Sequence, residues 1–350
     1  MRKVIAALLL VAVSAAGGFA QEKKDEKKAK LGVGDAAPPL TKVTTWMNGS
    51  PVAAFEKDKV YVLEFWATWC GPCIAAMPHL SELQTQLKGK GLVVIGMTNK
   101  DDNGNNKESV TKFVDKNKGE KLAYPVAYSD GEENYTAYME AAGQNGIPCS
   151  FVIGKDGKVA YIGHPMGLDM VLPKVFAGTW NGKADADATV KAVDELFELM
   201  SPDKPETGLE KLAAFRKKYP ELAAKDEVRG MHLNLLLANK KWDDAKPLAE
   251  ELIAEADKKK KGQLAASAIG FANVKANPDK KHFDLGVKAL ETALKHEDKD
   301  VGLMLAAVQV YTWAGNKEKA NEYGKKAIET VGEKDRKQVE MIVEEIKKGK

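Results

Sequence analysis

Residues 65–73 have the sequence Phe-Trp-Ala-Thr-Trp-Cys-Gly-Pro-Cys, and this stretch decides the fold class of the N-terminal half of the chain. It begins where residues 60–65, Val-Tyr-Val-Leu-Glu-Phe, complete a mostly apolar run of strand length. Such runs are typical of a central strand that is covered on both faces of a sheet. Cys70 and Cys73 therefore follow a buried strand, at the place where we expect a helix to begin.

A cysteine at the start of a helix faces unpaired backbone N–H groups and the positive end of the helix dipole, which favour the thiolate. We therefore predict that Cys70 is the exposed, attacking thiol and that Cys73, one turn later, resolves the mixed disulfide. Pro72 fits the first helical turn, where a missing N–H removes no hydrogen bond. Two other uses of the pair remain open. A zinc site would need two further ligands, and the only other cysteine is Cys149, while the five histidines are scattered along the chain. A static disulfide closing so short a loop would stabilise the fold little.

The composition is that of a globular protein with cysteine chemistry. Hydrophobic residues make up 44% and charged residues 29% of 350 positions, which excludes wholesale disorder. The length favours two domains, because single cores rarely exceed about 250 residues. A net charge of +3 gives no electrostatic reason to expect a nucleic-acid partner. Three cysteines, two of them in one motif, are too few for a disulfide scaffold.

The first 20 residues have the pattern of an export signal. A short positive start precedes an apolar run over 4–13, and Gly18 and Ala20 occupy the positions that a signal peptidase recognises. The apolar run is short for a membrane span, so an uncleaved anchor is the less favoured alternative. No cysteine near the cleavage site offers a lipid attachment point. Residues 21–31 form a charged linker rich in Lys and Glu. We therefore expect an exported protein, periplasmic or secreted.

Residues 32–180 alternate between strand and helix patterns, which predicts an α/β domain built on a mixed sheet. Gly154-Lys155-Asp156-Gly157 contains an Asp-Gly turn signal and indicates a hairpin. Strands are predicted over 60–65, 92–97, 122–126, 149–153 and 158–162, and helices over 74–87, 107–117 and 133–142.

Residues 185–350 have a helical composition, dominated by Ala, Leu, Glu and Lys, and are predicted to form an all-α domain. Small residues recur seven positions apart in pairs that are 34 or 41 residues from one another, which resembles the tetratricopeptide repeat. The pairs are Gly286 with Ala293 and Ala320 with Ala327, and a weaker pair, Ala245 with Leu252, lies 41 residues further upstream. Four aromatic residues should then pack between the helical hairpins: Trp242, Phe283, Tyr311 and Tyr323. An ordinary helical bundle is the alternative.

Residues 65–73 resemble the active site of the thioredoxin superfamily, and more closely that of the exported, membrane-facing disulfide reductases of the TlpA and redoxin type. Two segments before the motif are similar to the sequence that leads into the active site in that subgroup. They are residues 33–38, Val-Gly-Asp-Ala-Ala-Pro, and 48–51, Asn-Gly-Ser-Pro. Pro78 falls where the family kinks the helix. The resemblance covers about residues 32–175 and implies an α/β thioredoxin-like fold, with a central mixed sheet flanked by helices.

The resemblance also implies which residues surround the cysteines. Ile147 and Pro148 take the place of the family's cis-proline loop beside the disulfide, and Gly163 that of a glycine that leaves room for a bound partner. Trp69 is predicted to be an exposed aromatic side chain next to the nucleophile, suited to docking a partner chain. The predicted substrate-binding set is Trp69, Gly71, Pro72, Ile147 and Gly163.

The predicted proton acceptor is Glu64, in the central strand. Many TlpA-like reductases have a glutamate three residues after the second cysteine, where this chain has Ala76. Glu64 lies two residues before Trp66, where thioredoxin has an aspartate. Burial raises the pKa of a carboxyl group, which suits a proton acceptor for Cys73. In the alternative, Glu64 reaches solvent at the end of the strand.

Cys149 directly follows Pro148, where the family usually has threonine, so we expect it near the Cys70–Cys73 pair. A third thiol there would capture or exchange disulfides. A buried cysteine is most often a small hydrophobic residue, and this inert interpretation is favoured. The sequence predicts no metal and no cofactor other than a redox-active Cys70–Cys73 disulfide.

These features predict an exported thiol–disulfide oxidoreductase of the reductase type. Its expected partners are protein disulfides and an external electron donor, either thioredoxin-type or a membrane reductase, with a further protein partner on the helical domain. A peroxiredoxin-like thiol peroxidase is disfavoured, because Ala67 stands three residues before Cys70 where peroxiredoxins have Thr or Ser. A non-enzymatic interaction scaffold is disfavoured by the intact cysteine pair.

Overall fold

A computed structural model describes residues 31–119, 121–200, 205–274, 276 and 279–349. The predicted export signal, 1–20, lies outside these residues, as does the charged linker apart from Leu31. The described chain divides into two compact units, residues 31–198 and 199–349. The first contains a mixed sheet with helices and the second is helical, so the predicted fold class is confirmed for both.

The sheet of the first unit has, within the described residues, six strands in the order β1-β4-β3-β2-β5-β6. β2 is parallel to β3 and β3 to β4, whereas β1, β5 and β6 run antiparallel to their neighbours. The strands are β1 Thr45–Met47, β2 Val60–Phe65, β3 Leu92–Asn99, β4 Val126–Ser129, β5 Cys149–Ile153 and β6 Val159–Gly163.

The helices of the first unit lie between and after these strands. They are α1 Gly71–Leu87, α2 Lys107–Asn117, α3 Glu133–Tyr135, α4 Leu168–Ala177 and α5 Gly182–Met200, with a π-helical turn at Thr136–Glu140 after α3. The unit extends past the predicted boundary at residue 180, because Ala186 of α5 joins its core and Asp185 bonds Lys174 of α4 at 2.9 Å.

Strand β2 divides the core of this unit into two. All six of its residues are buried, and successive side chains point to opposite faces. Val60 and Val62 join a cluster with Cys70 and Cys73, whereas Tyr61 and Phe65 join a cluster on the other face with Tyr138 and Phe151. The clusters cover the central strand on both sides, as its apolar sequence predicts.

Two predicted elements differ from the observed ones. The strand predicted at 122–126 begins only at Val126, because Pro125 has no N–H and Asn48 donates instead to the carbonyls of Leu122 and Tyr124 at 2.7 and 2.9 Å. The helix predicted at 133–142 is the short α3 with its π-helical turn, in which Ala141 N–H bonds the carbonyl of Thr136.

The second unit consists of helices packed as successive neighbours. They are α6 Pro205–Lys218, α7 Pro220–Ala223, α8 Asp226–Ala238, α9 Trp242–Lys259, α10 Gly262–Ala266, α11 Lys280–His296, α12 Val301–Trp313, α13 Lys317–Thr330 and α14 Glu333–Lys347. None of the helices in the described residues is both long and apolar enough to cross a membrane.

The small-residue pairs of the predicted repeat are all buried, at matching places in α9, α11 and α13. The predicted packing of four aromatic side chains is also confirmed, since Tyr311 is buried and Trp242, Phe283 and Tyr323 pack against the same core. Assignment to the tetratricopeptide class stays a prediction.

Close packing at Gly286, one of the repeat positions, requires a residue without a side chain. A Cβ atom there would overlap the backbone nitrogen of Ala272 and lie 2.7 Å from its Cβ. Because backbone atoms cannot rotate away, α11 packs against the short 3-10 helix Ile269–Ala272 only with glycine at this point.

We expect Gly286→Ala to lower the free energy of unfolding by about 1–3 kcal/mol, because overpacking outweighs the gain in helix propensity. Gly230→Ala is the matched control, since its Cβ would meet Ser267 Cβ at an ordinary 3.5 Å. That control should be neutral or stabilise the protein by up to about 1 kcal/mol. Urea unfolding followed by circular dichroism measures both. Equal effects of the two variants would contradict this account of the α11 packing.

Candidate active site

Cys70 and Cys73 form a disulfide at the N-terminus of α1. Cys70 is the N-cap residue, and its Sγ accepts the backbone N–H of Cys73 at 3.2 Å. The predicted helix start directly after Cys70 is therefore confirmed, and Pro72 lies in the first turn. The N–H of Cys73 and the helix dipole both stabilise negative charge on the Cys70 sulfur.

The exposure of the motif agrees with the prediction for Trp69 and differs from it for Cys70. Trp69 is 49% exposed, and Gly71 and Pro72 are exposed beside it. Cys70 is only 4% and Cys73 2% exposed, so the prediction of an exposed Cys70 is wrong for the disulfide form. The physical reason is a close neighbour, because the carbonyl oxygen of Ile147 lies 3.8 Å from Cys70 Sγ.

The Ile147–Pro148 peptide bond is cis, as the resemblance implied, and Ile147 lies against Cys70. Gly163, at the end of the hairpin, pairs with Ser150 of β5. A Cβ at Gly163 would lie 2.5 Å from the hydroxyl of Tyr161, so the protein's own packing already requires glycine there. Contact of these residues with a substrate stays a prediction.

Asn105 connects the segment before Cys70 to the end of β3. Its Oδ1 accepts both the N–H and the hydroxyl of Thr68, at 2.9 and 3.0 Å. Its Nδ2 donates to Thr98 Oγ1 and to the carbonyl of Asn99, at 2.8 and 2.6 Å. Thr98 in turn donates to the carbonyl of Trp66 at 2.7 Å. These bonds fix the backbone that leads into the cysteine motif.

Asp101 holds the exposed indole of Trp69. Its Oδ2 accepts Trp69 Nε1–H at 2.7 Å, and its Oδ1 accepts the backbone N–H groups of Asn103 and Asn105. Asp101 and Asn105 were not predicted as site residues. Their only signal is a polar run directly after a buried strand, a position where loops often hold functional groups.

Glu64 is buried, with 2% exposure, so the alternative in which it reaches solvent is wrong. Its position in β2 places it on the same face of the sheet as Val62 and Trp66, in the half of the core that contains Cys73. Ser150 donates its hydroxyl to Oε2, and Oε1 has no hydrogen-bond partner within the described residues. Burial raises the pKa of Glu64 to about 8, against the opposing effect of the Ser150 hydrogen bond.

Cys149 directly follows the Ile147–Pro148 segment that lies against Cys70, but its side chain faces away from the cysteine pair. It pairs with Phe65 across the sheet, and its side chain belongs to the core cluster opposite to that of Cys70 and Cys73. Burial raises the pKa of this thiol to about 12. The geometry therefore favours the inert interpretation. Across the described residues, no three His, Cys, Asp or Glu side chains are close enough together to hold a metal ion.

Comparison with known proteins gives matches to the first unit. The Redoxin family model matches residues 32–167. Thiol-disulfide oxidoreductase ResA of Bacillus cereus is 34% identical over 160 residues, which are 45% of this chain and 85% of ResA. Protein FixW of Rhizobium leguminosarum is 30% identical over 43% of this chain and 69% of FixW. A crystal structure described as the thiol:disulfide interchange protein DsbE from Chlorobium tepidum has 24% identity and a TM-score of 0.32, covering 42% of this chain and 99% of that one.

Replacement of Asn105 tests the network that holds the motif. We expect Asn105→Ala to lower the free energy of unfolding by about 1–3 kcal/mol, because it leaves the Thr68 N–H without its buried acceptor. Asn103→Ala is the control, since Asn103 is exposed in the same loop and takes part through its backbone N–H. That variant should stay within about 0.5 kcal/mol of the parent. Similar losses of unfolding free energy for both variants, measured by urea unfolding, would contradict a specific role for the Asn105 side chain.

The raised pKa of Glu64 predicts a pH dependence of stability. The group ionises near its ordinary value of 4.5 in the unfolded chain and near 8 in the fold. Between these values the folded state binds one more proton, so stability falls as pH rises across that window. Glu64→Gln removes the titration. Its stability relative to the parent should therefore grow between pH 4.5 and 8, by up to about 5 kcal/mol. A constant difference in unfolding free energy over this range would contradict the raised pKa.

Proposed function

The chain belongs to the thioredoxin superfamily, as a redoxin-type thiol–disulfide oxidoreductase, and from that premise we propose that it reduces protein disulfides outside the cytoplasm through Cys70 and Cys73. The observation that supports this most directly is the N-cap position of Cys70, whose Sγ accepts the Cys73 N–H at 3.2 Å. This position stabilises a thiolate at the sulfur that attacks.

The proposed reaction has two exchange steps and transfers two electrons. The Cys70 thiolate attacks one sulfur of a substrate disulfide, forming a mixed disulfide and releasing the other substrate sulfur as a thiolate. Cys73 then loses its proton, and its thiolate attacks Cys70 Sγ. The mixed disulfide breaks, the second substrate sulfur leaves as a thiolate, and the Cys70–Cys73 disulfide forms. The substrate is reduced and the cysteine pair is oxidised.

Glu64 is proposed as the acceptor of the Cys73 proton. Cys73 is buried, so its proton has no direct route to bulk water, and Glu64 shares its face of the sheet. Because burial raises the pKa of Glu64 to about 8, its carboxylate is a stronger base than an exposed carboxylate, which suits it to accept a proton from a thiol. Pro148 directly follows Ile147, whose carbonyl lies beside Cys70, and it is proposed to hold the loop along which a substrate strand binds.

The direction of reaction follows from the dipeptide between the cysteines. Cys-Gly-Pro-Cys is the sequence of reducing thioredoxins, whose potentials lie near about −270 mV. A reductase in an oxidising compartment must be reduced again after each turnover, so the proposal includes an external electron donor, thioredoxin-type or a membrane reductase. No cofactor beyond the cysteine pair is needed for the two exchange steps.

In this proposal the N-terminal segment directs export and the helical unit selects the protein partner. Residues 1–20 have the pattern of an export signal. The helical unit has its own core, and its repeat-like stacking is typical of domains that bind protein partners. We therefore propose that chemistry and recognition reside on different units of the chain.

Three single substitutions test the assignment of the thiols. In reduction of insulin disulfides by dithiothreitol, Cys70→Ser should abolish catalysis, because the nucleophile is lost. Cys73→Ser should accumulate a mixed disulfide on Cys70, detectable as an adduct by intact-mass spectrometry. Cys149→Ala is the matched control and should keep at least half of the parent rate, because the geometry places this thiol away from the pair.

Three outcomes would overturn the proposed function. Adducts on Cys73 instead of Cys70 would reverse the roles of the two thiols. Peroxide turnover without disulfide reduction by the unmodified protein would replace the reductase with a thiol peroxidase. Absence of both activities from the unmodified protein would leave an interaction scaffold.

A further inference from the structure

Glu64 has two neighbours at its own level in the sheet, one on each side. It pairs with Gly96 of β3 and with Ser150 of β5. Side chains of paired residues point to the same face of a sheet and meet there. Gly96 has no side chain, so Ser150 is the one cross-strand partner whose side chain can reach the carboxyl group. Ser150 is 0% exposed, so its hydroxyl has no contact with bulk solvent.

The Ser150 hydroxyl distinguishes the two oxygens of the carboxyl group. It donates to Oε2, whereas Oε1 is buried and has no hydrogen-bond partner within the described residues. Oε1 is thus the oxygen that remains able to accept a proton. Loss of the hydroxyl would leave the carboxyl group with two equivalent buried oxygens and no fixed orientation.

The side of the sheet at Gly96 is closed by aromatic rings. A Cβ atom on Gly96 would lie 3.0 Å from Trp66 Nε1 and 3.2 Å from Tyr124 Cε2. The rings therefore occupy the space that a side chain from β3 would need. They leave no room there for a second donor from β3, and among the described residues Ser150 is the hydrogen-bond donor that the Glu64 carboxyl group has.

We propose that Ser150 is a positioning residue for the disulfide-exchange reaction: its hydroxyl holds Glu64 Oε2 and presents Oε1 as the acceptor of the Cys73 proton. This inference rests on the proposed function, in which Glu64 receives that proton. In this role Ser150 acts on the reaction through its hydrogen bond to Glu64.

The hydrogen bond also sets the charge state of Glu64. A donor to the carboxylate favours ionisation, so the Ser150 hydroxyl lowers the pKa of Glu64 against the larger effect of burial, which raises it. The other titratable groups around Glu64 are Tyr124 before β4, Cys149 on β5, Tyr161 on β6 and Cys73 on α1. Burial raises the pKa of Tyr124, Cys149 and Tyr161, and the charge of Glu64 adds to each effect. These three groups therefore stay protonated near pH 8, where Glu64 titrates.

The test separates the two exchange steps in single-turnover experiments. Reduced protein is mixed with an excess of a small aromatic disulfide, and release of the first and second thiolates is followed between pH 5.5 and 9.5. In Ser150→Ala the second step, closure of the Cys70–Cys73 disulfide, should show its midpoint about one pH unit higher, and below the midpoint it should be about tenfold slower. The first step, attack by Cys70, should be unchanged.

A second pair of variants removes the effect of altered packing. Ser150→Thr and Ser150→Val have the same shape and differ in the hydroxyl. Thr should retain the parent midpoint, and Val should reproduce the shift of Ser150→Ala. Ser129→Ala is the control for loss of a buried serine elsewhere in the sheet and should leave both steps unchanged.

The combination with Glu64→Gln decides whether Ser150 acts through Glu64. In that background, replacing Ser150 by Ala should leave the rate and midpoint of the second step unchanged. An equal loss in both backgrounds, or an unshifted midpoint in Ser150→Ala, would overturn the positioning role while leaving the reaction itself in place. Failure of the parent protein to form the Cys70–Cys73 disulfide would instead overturn the proposed function, and the inference with it.

Discussion

The pairing of β2 with β3 on one side and β5 on the other is the constraint on which the rest of the first unit depends. It gives Cys70 its place at the end of a buried strand, brings the cis-proline segment before β5 against that cysteine, and fixes the face to which each side chain of β2 points. A shift of one residue in this register would move Glu64 to the opposite core and away from Cys73. The pairing therefore determines the site as well as the fold.

Burial of Glu64 is unfavourable for the fold and useful for the reaction. An ionised carboxylate in an apolar strand is destabilising, so the protein is expected to keep this group protonated over much of the neutral range. Only the Ser150 hydroxyl offsets the effect of burial. The central strand thus combines stability with a group that would be replaced by an apolar residue if stability alone mattered.

The sequence was sufficient for the features that depend on local pattern. The apolar run at 60–65, the helix at 107–117 and the Asp-Gly hairpin lie where they were predicted, because each depends on residues close together in the chain. The start of β4 was not predictable, since a side chain from residue 48 takes over the hydrogen bonds that a strand would make.

The site residues also divide into those that local sequence indicates and those that depend on contacts between distant segments. The cysteines could be identified from spacing, but Asn105, Asp101 and Ser150 became visible only through contacts between segments far apart in sequence. The burial of Cys70 likewise depends on Ile147, 77 positions away. The face occupied by Cys149 has a practical consequence for chemical labelling. In the folded protein a thiol-counting reagent should spare Cys149, whose thiol is buried and un-ionised at neutral pH. The third thiol then becomes countable only when the sheet opens, which provides an internal chemical reporter of unfolding without any engineered residue.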